Sequence, residues 1–223
     1  MQAITYRTAD GVIDAMNRVY GHMSLAVLIS MAMSWAVGTS PELLKFFFTG
    51  LIKWVVIFAP LVMILAMVFV QDRFNKTQLQ AFLYVFAALM GLSMATVFAV
   101  FTTTSVITAF LGAGVLFGTM SLYGYFTRKS LDNWGSFLMV GVIAIIIASV
   151  INLFLGNTLL QMVISGIAII VFLGLTAYDT QKIREIVSQD TDTGREEVLG
   201  ALNLYLDFVN LFINLLQLFG NRK

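Results

Sequence analysis

The chain contains no cysteine and a single histidine among its 223 residues, and only 11% of its residues are charged. The absence of cysteine excludes disulfide bonds, thiolate catalysis and cysteine metal sites. A single histidine argues against a zinc or haem site that is held through histidine alone. The formal net charge of +1 argues against a nucleic-acid partner, because binding to backbone phosphates needs a concentrated basic surface. No Ser/His/Asp set, metal-ligand cluster or phosphate-binding glycine loop occurs, so the sequence indicates that the protein is not an enzyme.

Apolar residues dominate the amino-acid composition. They make up 59% of the chain, and the mean hydropathy is +0.90, which leaves too little polar material to cover a soluble globule of this size. A spanning helix needs about 20 mostly apolar residues. We therefore predict an all-α integral membrane protein, one membrane domain over residues 1–223, with seven spans at residues 19–38, 51–70, 79–101, 106–126, 137–155, 158–178 and 198–220.

The distribution of Lys and Arg predicts the orientation. If all seven spans cross, nine of the thirteen bases share the side of the N-terminus: Arg7, Arg18, Arg73, Lys76, Arg128, Lys129, Lys182, Arg184 and Arg195. Because basic loops stay inside, we predict a cytoplasmic N-terminus and an external C-terminus. A re-entrant last segment, the alternative, would return Arg222 and Lys223 to the inside. The inner connections are predicted to be longer and charged, especially residues 181–197.

One carboxylate lies inside the last predicted span. Asp207 is near the middle of residues 198–220, where an ionised group has no water to solvate it, so it must have a partner or a function. Asn203, Asn210 and Asn214 fall with it inside roughly a 60° arc of one helical face. This polar stripe should face protein or a water-filled cavity and is a candidate pore lining.

A second carboxylate, Asp179, ends the preceding apolar run. If the sixth helix continues through residues 182–184, Asp179 and Asp207 could meet and share one proton, because two acids in low dielectric do not both ionise easily. Doubly ionised, they would suit Ca2+, with Asn203 or Asn210 as amide ligands. In the alternative, a basic residue or backbone donors neutralise each aspartate separately, and both only stabilise the bundle.

Small residues mark the fourth predicted span. Gly114 and Gly118 have the small-xxx-small spacing that lets another helix backbone approach. Every bundle with several spans needs close contacts of this kind. We therefore expect these glycines to pack within the molecule rather than to form a homodimer.

Three segments resemble one known family. Residues 199–220 (LGALNLYLDFVNLFINLLQLFG), 118–125 (GTMSLYGY) and 172–183 (FLGLTAYDTQKI) are similar to the signature of the Bax inhibitor-1 (transmembrane Bax inhibitor motif) family in its bacterial form. The resemblance implies a central seventh helix that two layers of three helices wrap. It also implies a pH-sensitive Ca2+ leak in a bacterial inner membrane, with Asp179 and Asp207 as the sensor pair and no further cofactor.

The same resemblance implies a latch and leaves the function open between classes. Arg73 is the nearest counterpart of a basic residue that latches to the aspartate pair in some members. A second hypothesis is a regulator that transports nothing and binds other membrane proteins, such as a membrane protease or secretion machinery. A third is a proton/cation antiporter, which also needs a buried carboxylate.

Overall fold

The structure is a computed structural model that describes residues 6–189 and 194–223. Within these ranges the chain forms helices α1 (Ala9–Gly38), α2 (Pro41–Phe48), α3 (Ile52–Val70), α4 (Lys76–Ser93), α5 (Val97–Val100), α6 (Thr103–Phe126), α7 (Asp132–Leu155), α8 (Thr158–Ser188) and α9 (Arg195–Phe219). Short 3-10 turns follow α3 and α4 at Gln71–Arg73 and Met94–Thr96. Seven helical stretches in the described part are long and apolar enough to cross a membrane, which confirms the predicted all-α, seven-span class.

The helices extend beyond the predicted apolar windows. α1 begins at Ala9 rather than residue 19, and α8 continues to Ser188 rather than ending at residue 178. Hydropathy detects only the lipid-matched part of a helix, whereas backbone hydrogen bonding continues into its polar end. The predicted loop 181–197 is therefore mostly wrong, since its first eight residues belong to α8 and its last three to α9. Residues 190–193 lie outside the described residues.

Helix ends follow local side-chain chemistry. Thr8 accepts a hydrogen bond from the Gly11 amide at 3.2 Å before α1. Asn75 and Gln78 form a reciprocal capping box at α4, with both bonds at 2.9 Å. Gly156 ends α7 with φ of 61°, a left-handed conformation that glycine adopts without steric cost. These signals mark the starts of α1 and α4 and the end of α7.

The chain divides into two compact units. Unit 1 comprises Met1–Thr102, Val187–Tyr205 and Arg222–Lys223, and unit 2 comprises Thr103–Ile186 and Leu206–Asn221. Three of the first six spans belong to each unit, and α9 contributes to both. α9 is also the most enclosed span, since 67% of its apolar window is buried, against 11–39% in the others. This burial agrees with an inner position for the last helix.

Helices approach each other closely at glycines other than Gly114 and Gly118, the predicted pair. A Cβ at Gly124 would collide with the carbonyl of Ala177 in unit 2, so α6 and α8 approach there at backbone distance. In contrast, no atom of the described residues, apart from the adjoining backbone of α6 itself, lies within 4 Å of the Cβ position of Gly114 or Gly118. The prediction that these two glycines mediate packing within the molecule is wrong, because the close approach occurs at a different position along α6.

Candidate functional site

Asp179 and Asp207 meet in unit 2. Their carboxyl groups lie within hydrogen-bonding range of each other, Asp179 from the seventh turn of α8 and Asp207 from the middle of α9. Asp207 is only 4% exposed, and Asp179 is half-buried. One oxygen of Asp207, Oδ2, is buried without a hydrogen-bond partner in the described structure. The two acids are therefore neighbours, and one is almost fully enclosed.

The extension of α8 holds Asp179 in place. Thr180, the next residue, is fully buried, and its hydroxyl lies 3.0 Å from that of Ser121 on α6. The side chain of Gln181 accepts a hydrogen bond from the Leu131 amide at 2.8 Å and donates one to the Lys129 carbonyl at 3.0 Å. These bonds tie α8 to α6 and to the connection that precedes α7. Asp179 thus sits on a rigid helix rather than on a loop.

The arrangement defines the chemistry that the pair can perform. Two carboxyl groups in contact, one of them almost fully enclosed, are favoured with one shared proton, because a second negative charge there is poorly solvated. The described residues contain no group of three or more His, Cys, Asp or Glu side chains that could hold a metal ion. A cation at this pair would therefore depend on two carboxylates, neutral oxygens and water. The alternative, in which each aspartate is neutralised separately, stays a prediction.

The residues of the predicted polar stripe differ in their exposure along α9. Asn203 is exposed and belongs to unit 1. Asn210 and Asn214 are half-buried in unit 2, and each donates its side-chain N–H to the carbonyl four residues earlier, at 2.8 Å and 2.9 Å. Neither bond uses the amide oxygen, which is the atom that an amide offers to a cation. A role for any of the three in lining a pore stays a prediction.

Arg73, the predicted latch, is an exposed residue of the 3-10 turn after α3. It belongs to unit 1, whereas Asp179 and Asp207 belong to unit 2. Its proposed latching contact with the pair stays a prediction.

Glu197 is a buried charged residue that was not among the predicted site residues. This carboxylate in the first turn of α9 is 2% exposed. It pairs with Arg7 at 3.2 Å, Arg18 at 2.7 Å and Lys76 at 3.4 Å, all within unit 1. The only feature of the sequence that pointed to this carboxylate was the excess of basic residues on the side of the N-terminus. The cluster joins the segment before α1, α1 itself, and the first turns of α4 and α9 at one end of unit 1.

The last residues lie at the other end of unit 1. Lys223 donates its backbone N–H to the Val100 carbonyl at 3.0 Å and its Nζ to the Phe98 carbonyl at 2.7 Å. Lys76 begins the span that ends at Val100, and Lys76 contacts Glu197. Glu197 and Lys223 are therefore at opposite ends of that span. The external position of the C-terminus stays a prediction.

Comparison with known proteins identifies the family. Residues 12–223 match the protein family described as "Inhibitor of apoptosis-promoting Bax1". The chain is 35% identical to the inner membrane protein YbhL of Escherichia coli K12 over 219 residues, covering 96% of this chain and 94% of YbhL. It is 37% identical to the protein RP147 of Rickettsia prowazekii over 218 residues, covering 96% and 92%. It is also 32% identical to YrjE of Lactococcus lactis over 220 residues, covering 95% and 92%. The chain therefore belongs to the Bax inhibitor-1 family.

Proposed function

We propose that this protein is a Ca2+-permeable leak channel whose conduction depends on the protonation of Asp179 and Asp207. The observation that supports the proposal is the enclosed carboxyl of Asp207, in contact with a second acid and with Oδ2 unpartnered. A purely structural buried carboxyl would have its oxygens satisfied by donors, because an unmet charged group is costly. A carboxyl oxygen without a hydrogen-bond partner, in the middle of a spanning helix, is suited to bind a passing cation or proton.

The shared proton gives the pair two states. With one proton between them, the two carboxyls attract each other and carry one negative charge. Without it, two negative charges repel at short range in a medium of low dielectric, and they are relieved only by water, by separation or by a bound cation. Ca2+, which prefers carboxylate and neutral oxygen ligands, supplies that relief. Protonation and Ca2+ occupancy thus exclude each other at this pair.

The proposal places the protein in the inner membrane of a bacterium. The support is the similarity to YbhL, an inner membrane protein, together with the seven apolar stretches. The surplus of Lys and Arg at the end of unit 1 that holds Glu197 favours that end as cytoplasmic. The C-terminal residues, at the other end, would then be external.

Flux measurements in liposomes test the proposal. Purified protein is reconstituted into vesicles that contain a Ca2+ indicator, and Ca2+ entry is recorded over a range of pH. In the variant Asp207→Asn we expect the pH dependence of flux to disappear, because an amide neither shares nor releases the proton. Asp132→Asn, an exposed acid at the start of α7, is the matched control and should behave as wild type. Equal rates and equal pH profiles for Asp207→Asn and wild type would overturn the proposal.

The same vesicles separate a leak from an exchanger. A coupled antiporter moves protons in fixed ratio to its cation, whereas a leak only changes its conduction with pH. We expect Ca2+ entry without a stoichiometric proton counterflow, measured with a pH indicator inside the vesicles. A fixed proton-to-Ca2+ ratio at every pH would instead mean that the buried carboxyls serve a coupled proton/Ca2+ antiporter. A protein that conducts no ion on its own would favour the regulatory hypothesis.

A further inference from the structure

The connection between α6 and α7, residues 127–131, carries two adjacent basic side chains. Arg128 and Lys129 are both exposed, and neither forms a salt bridge with an acid of the described residues. The backbone that carries them is fixed, because Gln181 on α8 accepts the Leu131 amide at 2.8 Å and donates to the Lys129 carbonyl at 3.0 Å. Leu131 itself is only 3% exposed. Two positive charges are thus held on a rigid connection and stay open to a ligand from outside the chain.

The acids at this end of unit 2 do not neutralise the two bases. Residues 127–132 and 181–186 together contain four bases and two acids, Asp132 and Glu185. Both acids contact Lys182, at 3.6 Å and 3.4 Å respectively. This end of unit 2 therefore has two positive charges in excess, and the salt bridges of its acids go to a base on α8 rather than to the connection.

The lengths of α6 and α7 place the connection at the depth of the lipid headgroups. Each helix has 24 residues and is therefore about 36 Å long. The hydrocarbon core of a bilayer is about 30 Å thick, and the headgroup layers bring the total to about 40–45 Å. The joined ends of the two helices thus reach into a headgroup layer. A connection of only five residues keeps Arg128 and Lys129 close to that layer.

Exposed aromatic side chains flank the connection on both sides. Phe126, the last residue of α6, is 70% exposed, and Trp134 in the first turn of α7 is 51% exposed. Aromatic side chains at the end of a span are suited to the boundary between acyl chains and headgroups. A small inorganic anion has no apolar part to contact them. A phospholipid matches both features, since it joins a phosphate to acyl chains.

We propose that Arg128 and Lys129 bind the phosphate group of an anionic phospholipid, whose acyl chains lie against Phe126 and Trp134. The guanidinium of Arg128 can donate two parallel N–H groups to phosphate oxygens, and the ammonium of Lys129 adds a further charge. The fixed backbone lowers the cost of ordering the site. A zwitterionic lipid should bind more weakly, because its own positive group offsets the attraction. This site does not depend on the proposed function, since lipid binding requires no ion flux.

Lipid binding to the purified protein tests the proposal. The protein in detergent is titrated with phosphatidylglycerol or with phosphatidylcholine of the same acyl chains, and native mass spectrometry counts the lipids that stay bound. We expect wild type to prefer the anionic lipid, and Arg128→Gln/Lys129→Gln to bind it roughly tenfold more weakly, because each base near the surface adds to the attraction. Lys45→Gln/Lys53→Gln removes the same charge from unit 1 and is the matched control, which should keep the preference.

The proposal is wrong if wild type and Arg128→Gln/Lys129→Gln bind phosphatidylglycerol equally, or if wild type does not distinguish the two lipids. An equal loss in the control would mean that only net charge matters, and it would overturn the site as well. Displacement of the lipid by an equal concentration of inorganic phosphate would assign the two bases to a free anion instead. Thermal unfolding identifies a variant that fails to fold. The single variants Arg128→Gln and Lys129→Gln, each expected to lose part of the affinity, then provide the test.

Discussion

Arg18 donates two hydrogen bonds to the carboxylate of Glu197, from Nε to Oε2 at 2.9 Å and from Nη2 to Oε1 at 2.7 Å. This paired geometry is the strongest form of an ion pair between these residue types. The α1 helix is thereby fixed to the first turn of α9 within unit 1. Arg7 and Lys76 complete the surroundings of the same carboxylate.

Glu197→Gln should destabilise the protein. The substitution leaves three basic side chains around a neutral group. Two of them, Arg18 and Lys76, are 47% and 38% exposed, so hydration offsets part of the lost ion-pair energy. We expect the free energy of unfolding to fall by about 1–3 kcal/mol. The measurement is thermal unfolding in detergent, with the exposed Asp72→Asn as control. Equal melting temperatures for wild type and Glu197→Gln would contradict the assignment.

Tyr205→Phe should weaken unit 1. The hydroxyl of Tyr205, which is fully buried, lies 2.7 Å from that of Ser30, and Ser30 donates to the Ala87 carbonyl at 2.7 Å. Loss of one buried hydrogen bond costs about 0.5–1.5 kcal/mol of unfolding free energy. Chemical denaturation of the purified variant measures the change, and Tyr123→Phe, an exposed tyrosine, should be neutral. If both variants unfold alike, the bond does not contribute to stability.

Gly124→Ala and Gly114→Ala form a matched pair on α6. A Cβ at Gly124 meets the backbone of Ala177, which cannot rotate away, whereas the Cβ position of Gly114 has no neighbour within 4 Å. Overpacking of this kind costs about 1–3 kcal/mol. Gly114→Ala should instead be neutral or stabilise slightly, because alanine restricts the unfolded chain. A reversed order of melting temperatures would mean that α6 packs on α8 elsewhere.

Sequence reasoning predicted the spans because the thickness of the bilayer imposes a length on every apolar helix. It missed α2, whose eight residues are too short for that window although Ser40 and Pro41 mark its start. It also placed the end of α8 too early, since residues 179–188 are mostly polar and yet remain helical. Polarity signals the membrane boundary and not the end of a helix.

The site was predictable in part. Asp207 stood out because a carboxylate inside an apolar run has a solvation cost that no other residue there shares. Its distance from Asp179 was not predictable, because the two belong to different helices and only packing sets their separation. Glu197 was not singled out, because an acid in the first turn of a helix is common and favourable without any partner. Its burial under three basic side chains depends on long-range contacts.

Proton release on Ca2+ binding is the most direct measurement of whether Asp179 and Asp207 exchange a shared proton for the cation. Purified protein in weakly buffered detergent is titrated with CaCl2 while a pH indicator records released protons, and the titration is repeated across a range of pH. Ca2+ needs the deprotonated pair, so its affinity should rise with pH, by at most about tenfold per pH unit for each proton displaced. Wild type should release protons on binding and Asp179→Asn/Asp207→Asn should release none. Ca2+ binding with the same affinity at every pH and without proton release in wild type would contradict the exchange.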